Sequence, residues 1–172
     1  MNSMESNRQC SLADPLREEL RAFYERLDAA IAHADPKCVL SGRCCRFVEF
    51  DHRLYLTQIE ADYLCALAPP PVRPLDQGES CPWQDDRGRC TAREARPLGC
   101  RVFHCAPDDY EERGQAITER FLAELSRIAE QAGVPRNYET LHAHLARAQQ
   151  EGRIEFPTTG EGGSTPTAAL TP

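Results

Sequence analysis

Cysteines are the residues of this chain whose type and spacing could do chemistry. The sequence has nine of them in 172 residues, and eight fall between residues 38 and 105. Seven of these eight lie among loop- and turn-forming residues, not at helical spacing among Leu and Ile, where a cysteine acts as a small apolar side chain. The seven are Cys38, Cys44, Cys45, Cys81, Cys90, Cys100 and Cys105. We predict that they are metal ligands.

The cellular compartment decides what clustered thiols do. The N-terminus "MNSMESNRQCSLADP" has neither a basic stretch nor an apolar run of the kind that directs export. We therefore expect a cytoplasmic protein, in which disulfides are rare and clustered cysteines bind metal or do redox chemistry. Cysteines make up roughly 5% of the chain, below the density of a small disulfide scaffold. The sequence has no Cys-x-x-Cys pair, so a thioredoxin-like redox site has no support.

Charge and hydropathy argue against two classes of partner. The formal net charge is -7, whereas nucleic-acid-binding domains usually carry a basic surface. No apolar run approaches the roughly 18 residues of a membrane helix. We expect a metal ion as partner, with neither nucleic acid nor membrane, and the sequence does not identify a protein partner.

The adjacent pair Cys44 and Cys45 raises a geometric question. In an extended backbone, successive side chains point to opposite sides. Both thiolates would then struggle to face one ion, but they could bind two metals or two corners of a cluster. One ligand beside one packed thiol, or a vicinal disulfide, would also fit.

Several motifs together resemble the YkgJ-type cysteine-cluster family, whose domain is described as chelating zinc or iron. They are "CVLSGRCCR", "LTQIEADYL", "CPW" and "CTAREARPLGCRVFHC". The family pattern begins C-x-x-C-x-x-C-C and continues with C-P-aromatic and C-x-x-Y-x-x-R-P-x-x-C-R-x-F-x-C. Residues 81–83 and 90–105 match the later part in register. The resemblance covers about residues 38–105 and implies a zinc, iron or iron–sulfur site built on the seven cysteines.

The sequence departs from the family pattern at two positions. Ser41 replaces the second cysteine of the first motif, and serine is a poor ligand for zinc or iron. Cys65 and His104 are the nearest candidates in sequence for the missing ligand, although Cys65 lies in a helical pattern typical of packing. Arg93 replaces the usual tyrosine before "RP".

Charge balance indicates which residues surround the ligands. Four thiolates around Zn²⁺ leave a net charge of about -2, and such a centre favours nearby cations and N–H donors. Arg96 and Arg101 flank Cys100, so we predict that they contact the cofactor. Trp83 and Phe103 could shield the site from water or pack as ordinary core aromatics, and we favour the core for Phe103. The sequence places His142 and His144 on a solvated helix face.

Helices must position these loops. Asp14 as cap and Pro15 in the first turn predict a helix that ends near Pro36. Thr57 with Glu60 predicts a capping box opening a helix to about Leu67, and Thr91 with Glu94 predicts a second box. Further helices are predicted at about 109–132 and 138–150, and "FVEF" at 47–50 is a candidate strand.

The predicted fold is mainly α, with a small irregular cysteine-rich metal-binding centre packed between helices and room for one short strand pair. We predict a flexible leader at 1–12, a single domain at 13–152 with its cysteine cluster at 38–105, and a disordered tail at 153–172.

The predicted function is metal binding through central thiolates. Two alternatives stay open: a redox or group-transfer enzyme acting at an iron–sulfur site, or a metal carrier or sensor. The resemblance allows an enzyme because such domains also occur attached to a methylase of flagellin lysines. The sequence has no phosphate-binding glycine loop and no Ser/His/Asp constellation, so catalysis would have to occur at the cluster.

Overall fold

The computed structural model describes residues 12–37, 40–104 and 110–158. These ranges form five α-helices and one antiparallel strand pair. The helices are α1 Asp14–His33, α2 Gln58–Leu67, α3 Leu98–Val102, α4 Tyr110–Gln131 and α5 Leu141–Gln150. The strands are β1 Tyr55–Thr57 and β2 Tyr138–Thr140, with Leu56 opposite Glu139. The predicted mainly α class with one short strand pair is confirmed. None of the helices in the described ranges is long and apolar enough to cross a membrane.

Four helices enclose the larger apolar cluster, which we call the helical core. Phe23 of α1 meets Phe121 of α4 edge to face, with ring centroids 5.7 Å apart. In both helices, apolar residues three or four positions apart are buried in this cluster, as expected for helices with one apolar face. The helical core consists of Leu20, Phe23, Tyr24, Leu27, Ile31, Ile59, Tyr63, Leu98, Phe121, Leu125, Ile128 and Ala129.

A second cluster, the cysteine-side core, lies under the loops. It consists of Cys45, Phe47, Leu56, Ala61, Leu64, Cys81, Trp83, Ala92, Ala95, Leu141 and Leu145. Helix α2 belongs to both cores, since Ile59 and Tyr63 face the helical core and Ala61 and Leu64 face the cysteine-side core. The two cores therefore share α2 as a wall.

Hydrogen bonds at the start of α2 fix the position of this shared helix. The predicted capping box of Thr57 and Glu60 is present. Glu60 is 1% exposed, and its second carboxylate oxygen accepts a hydrogen bond from the Leu98 N–H at 2.8 Å. One buried carboxylate thus joins the first turns of α2 and α3. Burial raises the pKa of Glu60, although its hydrogen bonds favour the charged form.

Several local predictions differ from the structure. Ala13, not Asp14, occupies the N-cap of α1, and the Asp14 carboxylate pairs with Arg17 instead. Residues 47–50 form turns, not a strand, because the Phe50 N–H bonds locally to the Arg46 carbonyl at 3.3 Å.

The predicted capping box of Thr91 and Glu94 does not form, since the Thr91 hydroxyl donates to the Trp83 carbonyl at 3.0 Å. Residues 138–140 pair with β1 before α5 begins.

Packing continues past residue 152, the predicted end of the domain. Ile154 and Phe156 are partly buried against the cysteine-side core. The rest of the predicted tail from residue 159, and the leader up to residue 11, lie outside the described residues.

Candidate metal centre

Five of the seven predicted ligands line one cavity of about 460 Å³. They are Cys44, Cys45, Cys81, Cys90 and Cys100. They come from a single-turn 3-10 helix at Arg43–Cys45, two loop positions and α3. Each is a free thiol. The other two predicted ligands, Cys38 and Cys105, lie outside the described residues.

Cys44 and Cys45 face each other. The backbone of this pair is not extended, because residues 43–45 form a turn of 3-10 helix. Helical backbone turns successive side chains by about 120°, not 180°, and here it places the two Sγ atoms 3.9 Å apart. Two thiolates bound to one tetrahedral zinc, at about 2.3 Å each, would lie about 3.8 Å apart. The observed spacing of the two sulfurs is therefore close to that of two thiolates on one tetrahedral zinc.

A close contact between two loops holds this turn in place. Gly42 precedes the turn with φ of 69°, and a Cβ at this position would lie 2.3 Å from the Gly88 carbonyl oxygen. The amide of Gln84, which is 1% exposed, donates to the Gly42 carbonyl at 3.0 Å and to the Gly88 carbonyl at 3.2 Å. The Cys81 N–H donates to the Cys45 carbonyl at 2.8 Å. The Cys44–Cys45 turn is thus tied to the loop that carries Cys81 and Cys90.

The thiols divide into two kinds by their proton affinity. A hydrogen bond with the Cys45 thiol lowers the pKa of Cys44 to about 6, and the positive charge of Arg96 helps while burial opposes. The same partner lowers the pKa of Cys90 to about 7, again with help from Arg96. Hydrogen bonds with Cys44, Cys81 and Cys90 raise the pKa of Cys45. Burial raises the pKa of Cys100, and the neighbouring thiols add to this.

The two predicted cofactor-contacting arginines have different surroundings. Both line the cavity. The Arg101 guanidinium is fully engaged by the protein: Nη1 lies 2.5 Å from Asp28 Oδ2, Nε donates to the Arg96 carbonyl at 2.7 Å, and Nη2 donates to the Glu94 carbonyl at 2.6 Å. Within the described ranges, the Arg96 guanidinium forms one hydrogen bond, from Nε to the Arg93 carbonyl at 3.2 Å. Arg96 is consequently the better placed of the two to donate into the cavity.

Of the two candidates for the ligand missing at Ser41, His104 lines the cavity and Cys65 does not. Ser41 and His104 both line the cavity. His104 Nδ1 lies 3.1 Å from the Val102 carbonyl oxygen, which leaves Nε2 as the ring nitrogen for a ligand. Cys65 packs against the cysteine-side core and is not among the cavity-lining residues.

Aromatic and histidine side chains near the site differ in part from expectation. Trp83 is 1% exposed, lines the cavity and donates its indole N–H to the Pro69 carbonyl at 2.7 Å. Phe103 is 40% exposed at the cavity wall, so its predicted place in the core is wrong.

His142 and His144 are not solvated. His142 Nε2 lies 2.9 Å from Asp76 Oδ1, and His144, 2% exposed, lies 3.0 Å from the Leu56 carbonyl oxygen.

The described side chains do not form a complete metal site in this structure. In the described part of the chain, no group of three or more Cys, His, Asp or Glu side chains has the geometry to hold a metal ion. Five soft donors nevertheless surround one space, and thiol side chains move by rotation about a single bond.

Comparisons with known proteins add no relative. No protein-family model matches the chain, and neither does any curated protein or solved structure.

Proposed function

We propose that this chain is a metal-binding cysteine-cluster protein whose central thiolates bind zinc or iron, the iron either alone or as an iron–sulfur cluster. The observation that carries the proposal is the convergence of Cys44, Cys45, Cys81, Cys90 and Cys100 on one cavity from separate segments. Cysteines with no shared role would not be expected to gather from a turn, two loops and a helix.

The donor set fits such a metal. Thiolates are soft ligands that favour zinc and iron–sulfur clusters over Ca²⁺ or Mg²⁺. The lowered pKa values of Cys44 and Cys90 favour the thiolate form near neutral pH, which is the form that metals bind. The 3.9 Å spacing of the Cys44 and Cys45 sulfurs suits a shared ion. Rotation of Cys81, Cys90 or Cys100 would complete the coordination.

The sequence resemblance points the same way. The residues in register with the YkgJ-type pattern include Cys81, Trp83, Cys90 and Cys100, all of which line the cavity. We therefore propose membership of that family, with zinc or iron as cofactor and Cys38 and Cys105 as further ligands.

Metal content tests the proposal directly. We would purify the protein without oxygen and measure its zinc, iron, acid-labile sulfide and visible absorption, beside Cys100→Ser and Cys65→Ser. We expect stoichiometric metal in the unmodified protein, loss or marked weakening in Cys100→Ser, and full retention in Cys65→Ser. Brown protein with iron and sulfide would identify a cluster, whereas colourless protein with zinc would identify a mononuclear site.

Cys65→Ser is the matched control because it removes a thiol that packs outside the cavity. Metal-free protein that also fails to take up zinc, or iron and sulfide, would refute the proposal. Equal metal loss in both variants would show that the cavity thiols have no special role.

A further inference from the structure

The cavity has a positively charged wall that the metal ligands do not explain. Arg89, Arg93 and Arg96 line it together with the thiols. In the described ranges, no carboxylate forms an ion pair with any of these three arginines. Asp28 is the acidic residue among those that line the cavity, and its carboxylate is bound to Arg101. The cavity lining therefore includes three arginines that have no carboxylate partner among the described residues.

The positive charge of these three arginines contrasts with the formal net charge of the whole protein, which is -7. Arginine presents a planar fork of N–H donors that matches carboxylate and phosphate oxygens. A thiolate centre would itself attract one such cation, and Arg96 is the best placed to serve it. Arg89 and Arg93 are exposed, so their guanidinium groups can meet an anion that arrives from solution.

The rest of the cavity is suited to an apolar body. Ile31, Leu54 and Trp83 contribute to its lining. Leu40 and Phe103 also line it, and they are 65% and 40% exposed respectively. A volume of about 460 Å³ exceeds the needs of a single ion and falls within the range of about 300–1,000 Å³ typical of small-molecule sites.

We propose that the cavity binds a small organic anion, a carboxylate or phosphate group on an apolar body, beside the metal. Arg93 and Arg96 hold the charged end, with Arg89 close by at the same wall. The apolar body lies against Trp83 and Phe103. The inference rests on the proposed metal site for what occupies the thiol side of the cavity, but the anion contacts come from arginines and apolar residues that bind no metal.

The chain contains one tryptophan, Trp83, in the cavity wall, which provides a built-in reporter. We would titrate oxygen-free protein as purified with phenyl phosphate, following Trp83 fluorescence and heat of binding, and repeat both titrations with phenol and with inorganic phosphate. We expect saturable binding of phenyl phosphate, weaker binding of inorganic phosphate and no saturation with phenol. Hexanoate in place of phenyl phosphate distinguishes a carboxylate from a phosphate preference.

Variants locate the binding to the wall. Arg93→Gln with Arg96→Gln should weaken phenyl phosphate binding by about tenfold or more, as expected when charge-assisted hydrogen bonds are lost. Arg87→Gln is the control for the loss of a nearby positive charge, because Arg87 lies in the same loop region but outside the cavity lining. It removes one charge, as each of the two substitutions in the double variant does. If the double variant does not fold, Arg89→Gln, an exposed change, and the comparison of phenyl phosphate with phenol still decide.

Metal analysis of the same samples separates the two proposals. Metal retained with anion binding lost in the double variant supports the anion site, and so does anion binding by protein that never held metal, although the proposed function then fails. Metal and anion binding lost together would mean that the arginines only balance thiolate charge, which overturns the inference. Absence of saturation at millimolar phenyl phosphate and hexanoate, or an equal loss in Arg87→Gln, would also overturn it.

Discussion

The helical core and the cysteine-side core are adjacent, yet they are organised by different physics. The helical core joins three α-helix faces and the start of α3, and its aromatic rings meet edge to face, as Phe23 does with Tyr24 and Phe121. The cysteine-side core takes much of its surface from loops, and two of its buried residues are thiols, Cys45 and Cys81. Apolar burial suffices for the first core, whereas the second depends on cross-loop hydrogen bonds and, as we propose, on metal.

Two charged side chains join the cores. Glu60 connects the start of α2 to the start of α3. Arg101 of α3 reaches back to Asp28 of α1, and its guanidinium lies 4.4 Å from the centre of the Tyr24 ring. Both link α3, which carries Cys100, to the helical core. Cys100 is therefore held by a helix joined to the helical core, and the other four thiols of the candidate site by the 3-10 turn and the loops.

The largest expected difference between the cores follows metal removal. Chelation should expose the amides of residues 40–54 and 68–97, which lie outside the helices of the helical core, to hydrogen exchange while those of α1, α2 and α4 stay protected. The reason is that a structural thiolate site can contribute on the order of 10 kcal/mol to folding. Mass spectrometry of exchanged peptides measures both regions at once.

A chelator already saturated with zinc is the control for this experiment, since it contacts the protein in the same way without removing the ion. Unchanged protection and unchanged circular dichroism after complete metal removal would contradict a structural role for the metal. Simultaneous loss of protection in both regions would show that the two cores unfold as one unit.

A truncated side chain in the helical core should lower the stability of the protein and leave its metal content unchanged. Leu125 is fully buried there, so Leu125→Ala should lower the free energy of unfolding by about 2–5 kcal/mol. Because Leu125 is not among the residues that line the thiol cavity, the folded variant should keep its full metal content. Urea unfolding and metal analysis on one preparation check both parts, and loss of metal from folded Leu125→Ala would contradict the separation of the two regions.

The smallest expected change concerns the loop contact beneath Cys44 and Cys45. Gly42→Ala should destabilise this region by about 2–4 kcal/mol, because it adds a clash with the Gly88 carbonyl to the cost of a positive φ. Gly133→Ala is the matched control, since Gly133 also has a positive φ, 68°, but a Cβ at this position would have no atom within 4 Å. It should cost about 1–2 kcal/mol. Unfolding free energies that are equal in the two variants would contradict the importance of the loop contact.

Local pattern predicted the helices well. The apolar spacing in α1 and α4, the capping box at Thr57 and Glu60, and Pro15 in the first turn are all interactions between residues a few positions apart. Such interactions can be identified in a sequence because helix geometry sets which positions are neighbours. One of the wrong predictions involves a local motif displaced by a residue earlier in the chain, because the Thr91 hydroxyl donates to the Trp83 carbonyl instead of capping a turn.

The candidate site shows the same division. The sequence alone marked the cysteines by their type and by their position outside helical stripes, and those that the structure describes line one cavity. It could not show that a 3-10 turn brings Cys44 and Cys45 together, that Arg101 is committed to Asp28, or that Arg89 and Arg93 join Arg96 at the wall. These facts depend on contacts between residues tens of positions apart, which the tertiary structure decides because many loop paths satisfy the same local preferences.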